Sequence, residues 1–182
     1  MLIAKEQRVY CAIQGFTLIE LLVIVSVVTL LVTVAVPGYQ SVKQYIDIQG
    51  SSRQLVAAIA VARANAINLG RPVVLCRRLS LETELCAGNK VNSSGNWGNG
   101  WLMFIDLDKN QLYSSKDQLL KTDFNIANQC TIKGRGDFLS FKSDGLLRGS
   151  GNGTFTISCG VLFQTLIVNV LGRVRYTSVV KK

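Results

Sequence analysis

Along this chain the apolar positions fall into successive regimes. Residues 16–36, FTLIELLVIVSVVTLLVTVAV, form an almost continuous apolar run of 21 residues with one charge, Glu20, and Pro37-Gly38 follows. As a helix this run spans about 30 Å, enough to cross the hydrocarbon of a bilayer. From Tyr39 to Leu69 the pattern changes to a spacing of three and four: Val42 and Ile46, then Leu55, Ile59, Ala62, Ala66 and Leu69. Lys43, Gln44, Asp47, Arg53, Arg63 and Asn65 occupy polar positions between them, and Gly70 and Pro72 are stop signals. The pattern predicts one long helix, able to kink at Pro37 and Gly50, whose first half lies in a membrane and whose second half packs its stripe on a globular domain. A heptad coiled coil is the alternative, and Ala and Asn at the core spacing fit it poorly. Beyond Gly70 come short β-branched and aromatic runs separated by Gly, Asn, Ser and Asp, which predict strands at 73–79, 101–107, 119–126, 138–142, 154–159 and 162–176, the last interrupted. Residues 88–100 read as a long polar loop. The fold class is α+β, with a long N-terminal helix on a β-rich domain.

Glu20 is the anomaly in the apolar run. A carboxylate deep in hydrocarbon costs on the order of 3 kcal/mol, so it belongs near the interface or beside a cation. The order of segments is also unlike a secretory signal, in which cleavage follows the apolar region. Here the polar stretch MLIAKEQRVYCAIQG ends at Gly15 and the apolar run begins at once, so cleavage after the glycine leaves that run on the mature chain. Cys11 does not read as a lipoprotein site, because no adequate apolar stretch precedes it. Gly15-Phe16-Thr17-Leu18-Ile19-Glu20-Leu21 resembles the prepilin motif of type IV pilins and type II secretion pseudopilins. The resemblance implies that a prepilin peptidase cuts between Gly15 and Phe16 and methylates the new amine of Phe16. It also implies that Glu20 pairs with such an amine on a neighbouring pilin subunit, which supplies the missing cation.

The β-rich half carries a second resemblance. Trp97, Gly100-Trp101 with Phe104 and Asp106, Leu139-Ser140-Phe141 leading to Asp144-Gly145, and 167–170 followed by Gly172-Arg173-Val174-Arg175 are similar to the FimT/GspH group of minor pilins and pseudopilins. The resemblance implies a type IV pilin-like fold. Its domains are a leader at 1–15, a transmembrane and filament-core helix at 16–37, an amphipathic helix at 38–70, and a GspH/FimT-like domain with a basic tail at 71–182.

Removing the leader removes Cys11 and leaves Cys76, Cys86, Cys130 and Cys159. An even number in an exported domain favours two disulfides. Of the three connectivities, Cys76–Cys86 with Cys130–Cys159 is favoured because each pair brackets a turn or adjacent strands. A metal site is the alternative, but no close Cys pair and no histidine is present to build it. Asp106-Leu107-Asp108-Lys109-Asn110 matches the opening of a calcium loop, yet Gln111 and Asp117 stand where that loop needs Gly and Glu, so a strand-ending polar turn is the reading preferred. No cofactor or metal is implied.

Composition then narrows the function. The chain has 182 residues, 20 Lys+Arg against 11 Asp+Glu for a net charge of +9, and no histidine. The usual general base and most nucleophilic arrangements are thereby lost, and an enzyme is not expected. Cleavage after Gly15 leaves 18 basic and 10 acidic residues. Residues 126–182 hold Lys133, Arg135, Lys142, Arg148, Arg173, Arg175, Lys181 and Lys182 against Asp137 and Asp144, three quarters of the remaining excess. Arg77 and Arg78 form another basic pair, which Glu82 and Glu84 offset.

In extended backbone Arg173 and Arg175 point to one side, where two guanidinium forks suit phosphate oxygens. Gly172 either turns the chain or lets a phosphate approach closely, and Tyr176 offers a stacking surface. The plain alternative is a strand edge guarded by charge. In FimT-type minor pilins a Gly-Arg-x-Arg element is associated with DNA binding in natural transformation, and Gly172, Arg173, Val174 and Arg175 reproduce it. The resemblance therefore implies a minor type IV pilin, held in the inner membrane with its domain in the periplasm and extracellular once in a pilus. On this reading it is expected to bind DNA without sequence preference through Gly172, Arg173, Arg175, Lys181 and Lys182, with Arg148, Lys133 and Arg135 as further candidates. The alternative is a structural minor pilin or type II secretion pseudopilin without a DNA role.

Overall fold

A computed structural model describes residues 15–90, 95–123, 130–134, 136–149 and 153–181. The chain divides into two compact units, Met1–Gln40 and Ser41–Lys182. One helix, α1 (Leu18–Leu69), contributes to both and stays helical through positions 37 and 50.

In the first unit Thr17 caps α1: its Oγ1 accepts the Glu20 N–H at 3.3 Å and its carbonyl accepts the Leu21 N–H. Thr-x-x-Glu is the capping-box spacing, and Glu20 lies in the first turn, where the helix dipole favours an anion. The segment is apolar all round, with a mean hydropathy of 2.8 over its best 18-residue window and none of that window buried. Its few hydroxyls are satisfied internally: Ser26 donates to the Val23 carbonyl, Thr29 to those of Val25 and Ser26, and Thr33 to that of Leu30. Back-bonding of this kind lets a polar side chain reside in lipid.

In the second unit α1 buries Ile48, Ser51, Ser52, Leu55, Ala58, Ile59, Ala62 and Ala66. The stripe starts later and ends earlier than the spacing predicts, because Val42, Ile46 and Leu69 are exposed. Gln44 is where the β6–β7 turn meets the helix, against Gly160, and the two valine and isoleucine side chains lie off that face. Gly70 ends α1 in the left-handed region, φ +63°, with its N–H on the Ile67 carbonyl.

Among the described residues nine strands follow: β1 (Val73–Arg77), β2 (Trp101–Ile105), β3 (Gln118–Asp123), β4 (Cys130–Gly134), β5 (Phe138–Phe141), β6 (Gly153–Cys159), β7 (Leu162–Val168), β8 (Val174–Tyr176) and β9 (Val180–Lys181). They form two antiparallel sheets, ordered β3-β2-β1-β5 and β4-β6-β7-β8, with β9 also on β7. The expected strand at 162–176 is split by a turn at 169–172, and the far end of the one expected at 119–126 lies outside the described residues. β4 and β9 add strands the spacing did not predict.

The α1 stripe packs with Val73, Leu75, Met103 and Phe141 of the first sheet and Ile132, Phe155, Ile157, Leu166 and Val168 of the second in one core. A second cluster, Val74, Cys76, Leu102 and Phe104, lies under Cys86 and Tyr113 on the first sheet's other face. β2 is accordingly buried on both sides.

Cys76 is bonded to Cys86, and Cys130 to Cys159 directly across the β4–β6 ladder. Arg77 and Arg78 have structural partners, and these are not Glu82 and Glu84. Arg77 Nε sits 2.6 Å from Asp137 Oδ1, while buried Arg78 donates to the Leu81 and Thr83 carbonyls. Both arginines thus brace the 79–87 loop and β5, which takes them out of the basic surface.

The Cys130–Cys159 bridge closes a longer loop than Cys76–Cys86, 29 residues against 10. Removing either pair as serines is expected to lower unfolding free energy by about 2–4 kcal/mol, with the larger loss at Cys130/Cys159, as read by chemical denaturation.

Candidate nucleic-acid interface

The sheet β4-β6-β7-β8 has two unlike faces. Alternation turns Ile132, Phe155, Ile157, Leu166 and Val168 into the core and leaves Thr131, Lys133, Thr154, Thr156, Ser158, Thr165 and Ile167 on the outer side. Register carries the pattern across the strands. Lys133 stands opposite Thr156, and Thr156 opposite Thr165; Thr154 stands opposite Ile167, and Ile167 opposite Arg175. Arg175 therefore shares the outer face with Lys133, three strand spacings and two residues along the strands, or about 16 Å, away. No Asp or Glu occurs after Asp144, and β4 has none, so the whole sheet lacks acidic side chains.

The cations of the tail are placed by the turn at 169–172. Gly172 donates its N–H to the Asn169 carbonyl, Arg173 N–H donates to Asn169 Oδ1 at 2.9 Å, and the Arg173 carbonyl accepts the Asn169 N–H. Leu147 N–H donates to the Val170 carbonyl and Arg148 N–H to that of Ser140, which ties Arg148 to the same turn. Arg148 and Arg173 therefore flank one turn, both exposed. Lys181 is exposed at the other end of the same edge, opposite Leu162. Lys133, Arg148, Arg173, Arg175 and Lys181 make no ion pair with any described residue. Arg135 and Lys182 lie outside the described residues.

Gly172 is buried with φ +70°, and a Cβ there would lie 2.9 Å from Arg63 Cδ and 3.1 Å from Phe141 Cε1. Of the two roles open to it, the structure gives it the turn; its backbone is not presented for a phosphate. Tyr176 is 67% exposed. Two arginines of α1 join this region unannounced: Arg63 beside the Gly172 and Gly145 turns, and Arg53, which shares a groove with Tyr176. In the sequence they read as polar positions of an amphipathic helix. Their distance along the chain from the tail gives no sign that β7 and β8 pack beside them.

Against known proteins, the sequence model described as type II transport protein GspH matches residues 51–172, two thirds of the chain. The chain belongs to the GspH family. Arg173 and Arg175 follow directly after the matched segment. The structure is similar to two crystal forms of the type IV minor pilin FimU of Pseudomonas aeruginosa. The first has a TM-score of 0.56 at 17% identity and covers 74% of this chain and 90% of that one. The second has a TM-score of 0.52 at 18% identity and covers 71% and 92%. At such identity the likeness establishes the fold, a minor pilin or pseudopilin-like one. No curated protein gives a significant match. For a GspH-family chain the apolar segment fits a membrane anchor, and membership implies association with other pilin subunits.

This GspH-family domain also holds an acidic cluster. Among the described residues Asp106, Asp108 and Asp117 bring one carboxylate oxygen each within 4.8 Å of the others, close enough to share a cation. Their oxygens are already engaged by the loop: Asp106 accepts the Asn110 and Gln111 N–H groups, Asp117 those of Leu107 and Ser114. Burial, above all, raises the Asp106 pKa above its ordinary 3.8; the Asp117 and Asp108 charges add to this, and the Gln111 and Asn110 N–H groups oppose it.

Gly172→Ala is expected to cost about 1–2 kcal/mol from the left-handed backbone alone, with the Arg63 and Phe141 contacts adding to it, measured by denaturant titration. A carboxyl whose folded pKa is raised contributes stability fully below its unfolded pKa and loses it as pH rises through the folded value. Thermal melts across the acid range should therefore show wild type losing stability relative to Asp106→Asn as pH climbs from below 3.8.

Proposed function

We propose that this chain is a non-enzymatic minor pilin that holds extracellular DNA for uptake. A prepilin peptidase releases it by cleavage between Gly15 and Phe16 and methylates Phe16. It stands in the inner membrane with its domain in the periplasm until Glu20 pairs with a neighbouring subunit's N-terminal amine and draws it into a pilus. The observation that carries the DNA reading is an acid-free sheet whose exposed cations have no acidic partner among the described residues. Lys133 and Arg175 share its outer face, Arg148 and Arg173 flank the turn at one end, and Lys181 stands at the other. The threonine hydroxyls between Lys133 and Arg175 are further donors for phosphate oxygens. Binding of this kind is electrostatic and indifferent to sequence. One subunit alone binds weakly, and several copies along a filament multiply the effect.

A second reading is favoured by one observation: the GspH match ends at Gly172, before the arginines. In that case the basic sheet meets an acidic neighbour in a secretion pseudopilus or a priming complex.

Gel shifts with the full chain in neutral detergent separate the two. With about four phosphates engaged, log affinity for duplex DNA should fall with log salt at a slope near −3.6, and Arg173→Ala/Arg175→Ala should bring the slope to about −1.8. Equal retardation by wild type and double variant at low salt would sink the assignment to these residues. Lost binding with normal transformation would demote DNA binding to a by-product of the charge.

A further inference from the structure

Strand alternation sends Tyr176 and Arg175 to opposite sides of β8. Arg175 faces outward opposite Ile167, whereas Tyr176 pairs with buried Leu166 and faces α1. Tyr176 nevertheless stays 67% exposed. The helix residues beside it, Ala57 and Ala60, are exposed and too small to cover its ring, so a groove of about 310 Å³ runs between α1 and the β7–β8 edge. Half-buried Val56 contributes to the apolar wall and exposed Arg53 to the lining.

The floor of this groove is fixed by buried Gln164. Its Oε1 accepts from Ser52 Oγ at 2.5 Å and its Nε2 donates to the Thr177 carbonyl at 2.9 Å, which ties α1 to the residue after Tyr176. The ring is thus held at the mouth of a preformed apolar slot. No acidic residue lines it, and Arg53 makes no ion pair with any described residue. Arg175 and Arg173 stand one and three residues away on the same edge strand and its approach.

An apolar slot with an exposed ring, a guanidinium in its wall and cations along its edge that pair with no acid among the described residues has the composition that takes unpaired bases. The bases stack on the ring while the backbone follows the cations. A closed duplex cannot use such a slot, because its bases are already paired and stacked. Resting on the DNA reading above, we infer that the groove between α1 and β8 binds single-stranded DNA, with a base stacked on Tyr176, an adjoining phosphate on Arg53 within the groove, and the strand crossing the β8 edge to reach Arg175 on the outer face. The site therefore prefers frayed or single-stranded segments to closed duplex.

The test is fluorescence anisotropy with the full chain in neutral detergent. The probes are a mixed-sequence single strand and a duplex of the same sequence closed by hairpins at both ends. Tyr176→Ala should weaken the single strand about five- to 150-fold and leave the closed duplex within about twofold, while Tyr176→Phe keeps both. Ala60→Leu, which fills the slot from an exposed helix position with another good helix former, should reproduce the selective loss with a nearly unchanged melting temperature. Equal loss on both probes in Tyr176→Ala, or an unmoved single-strand affinity in Tyr176→Ala or Ala60→Leu, overturns the inference while the duplex reading stands. Wild type that retards neither probe removes the DNA reading itself. Self-association that Ala60→Leu abolishes, with single-strand affinity intact, overturns the inference and gives the groove to a neighbouring subunit.

Discussion

The domain depends on the burial of one helical stripe. Ile48, Leu55, Ile59, Ala62 and Ala66 are the surface on which the inner faces of both sheets pack, in a single core. Each of these side chains is fully covered, and transfer free energy scales with apolar area removed from water, so the stripe dominates the stability of the Ser41–Lys182 unit. It also fixes where the strands run. The β6–β7 turn meets α1 at Gln44, Gln164 meets it at Ser52, and the turn before β8 meets it at Arg63, so β7 ascends alongside the helix. The basic edge formed by β8 and β9 is thereby laid beside α1.

Polar contacts then convert this packing into precise placement. Gln164 is buried at 2% exposure, and both ends of its amide are used, one on α1 and one on the strand edge. A buried amide with one end unpaired costs about 1–3 kcal/mol, so the pair of bonds resists any register slip of the Tyr176 segment. Asn169 does the same for the turn: its side chain takes the Arg173 N–H and its backbone exchanges a bond with the Arg173 carbonyl. The arginine therefore leaves the turn in a set direction, which a free tail does not provide.

Much of the fold was legible because it rests on periodicity. The apolar run, the stripe from Leu55 to Ala66, the Gly70 stop, most strands and both disulfide partners follow from local pattern. β4 was missed although Cys130-Thr131-Ile132-Lys133-Gly134 alternates perfectly between buried and exposed, since five residues with two polar members and a glycine carry too little signal. The reading of Arg77 and Arg78 failed for a different reason. Their partners, Asp137 and the Leu81 and Thr83 carbonyls, are supplied by β-sheet closure and loop geometry, and the nearer acids in the sequence are not the ones that pair. The tail cations were legible as a cluster of charge, but their division between an outer sheet face, a turn and the far end of the edge is a property of register. Arg53 and Arg63 enter only through the packing of α1 against β7 and β8.

Edge protection accounts for part of the charge pattern and leaves part unexplained. β4 lies at one edge of the sheet and β8 and β9 at the other, and a charged residue on each discourages pairing with another chain. That device works with either sign. A sheet guarded by mixed charges gains weak attraction across its face, whereas this one has four strands and an added edge strand without a single acid. At about 16 Å apart, Lys133 and Arg175 are separated by more than a Debye length at physiological salt, so their mutual repulsion is small. Uniform sign is therefore tolerated by the fold but does nothing for it. A polyanion laid over the face meets both cations at once, and each contact releases counterions that the isolated domain retains. The gain exists only in the complex, which is why the acid-free sheet points to a partner and not to folding.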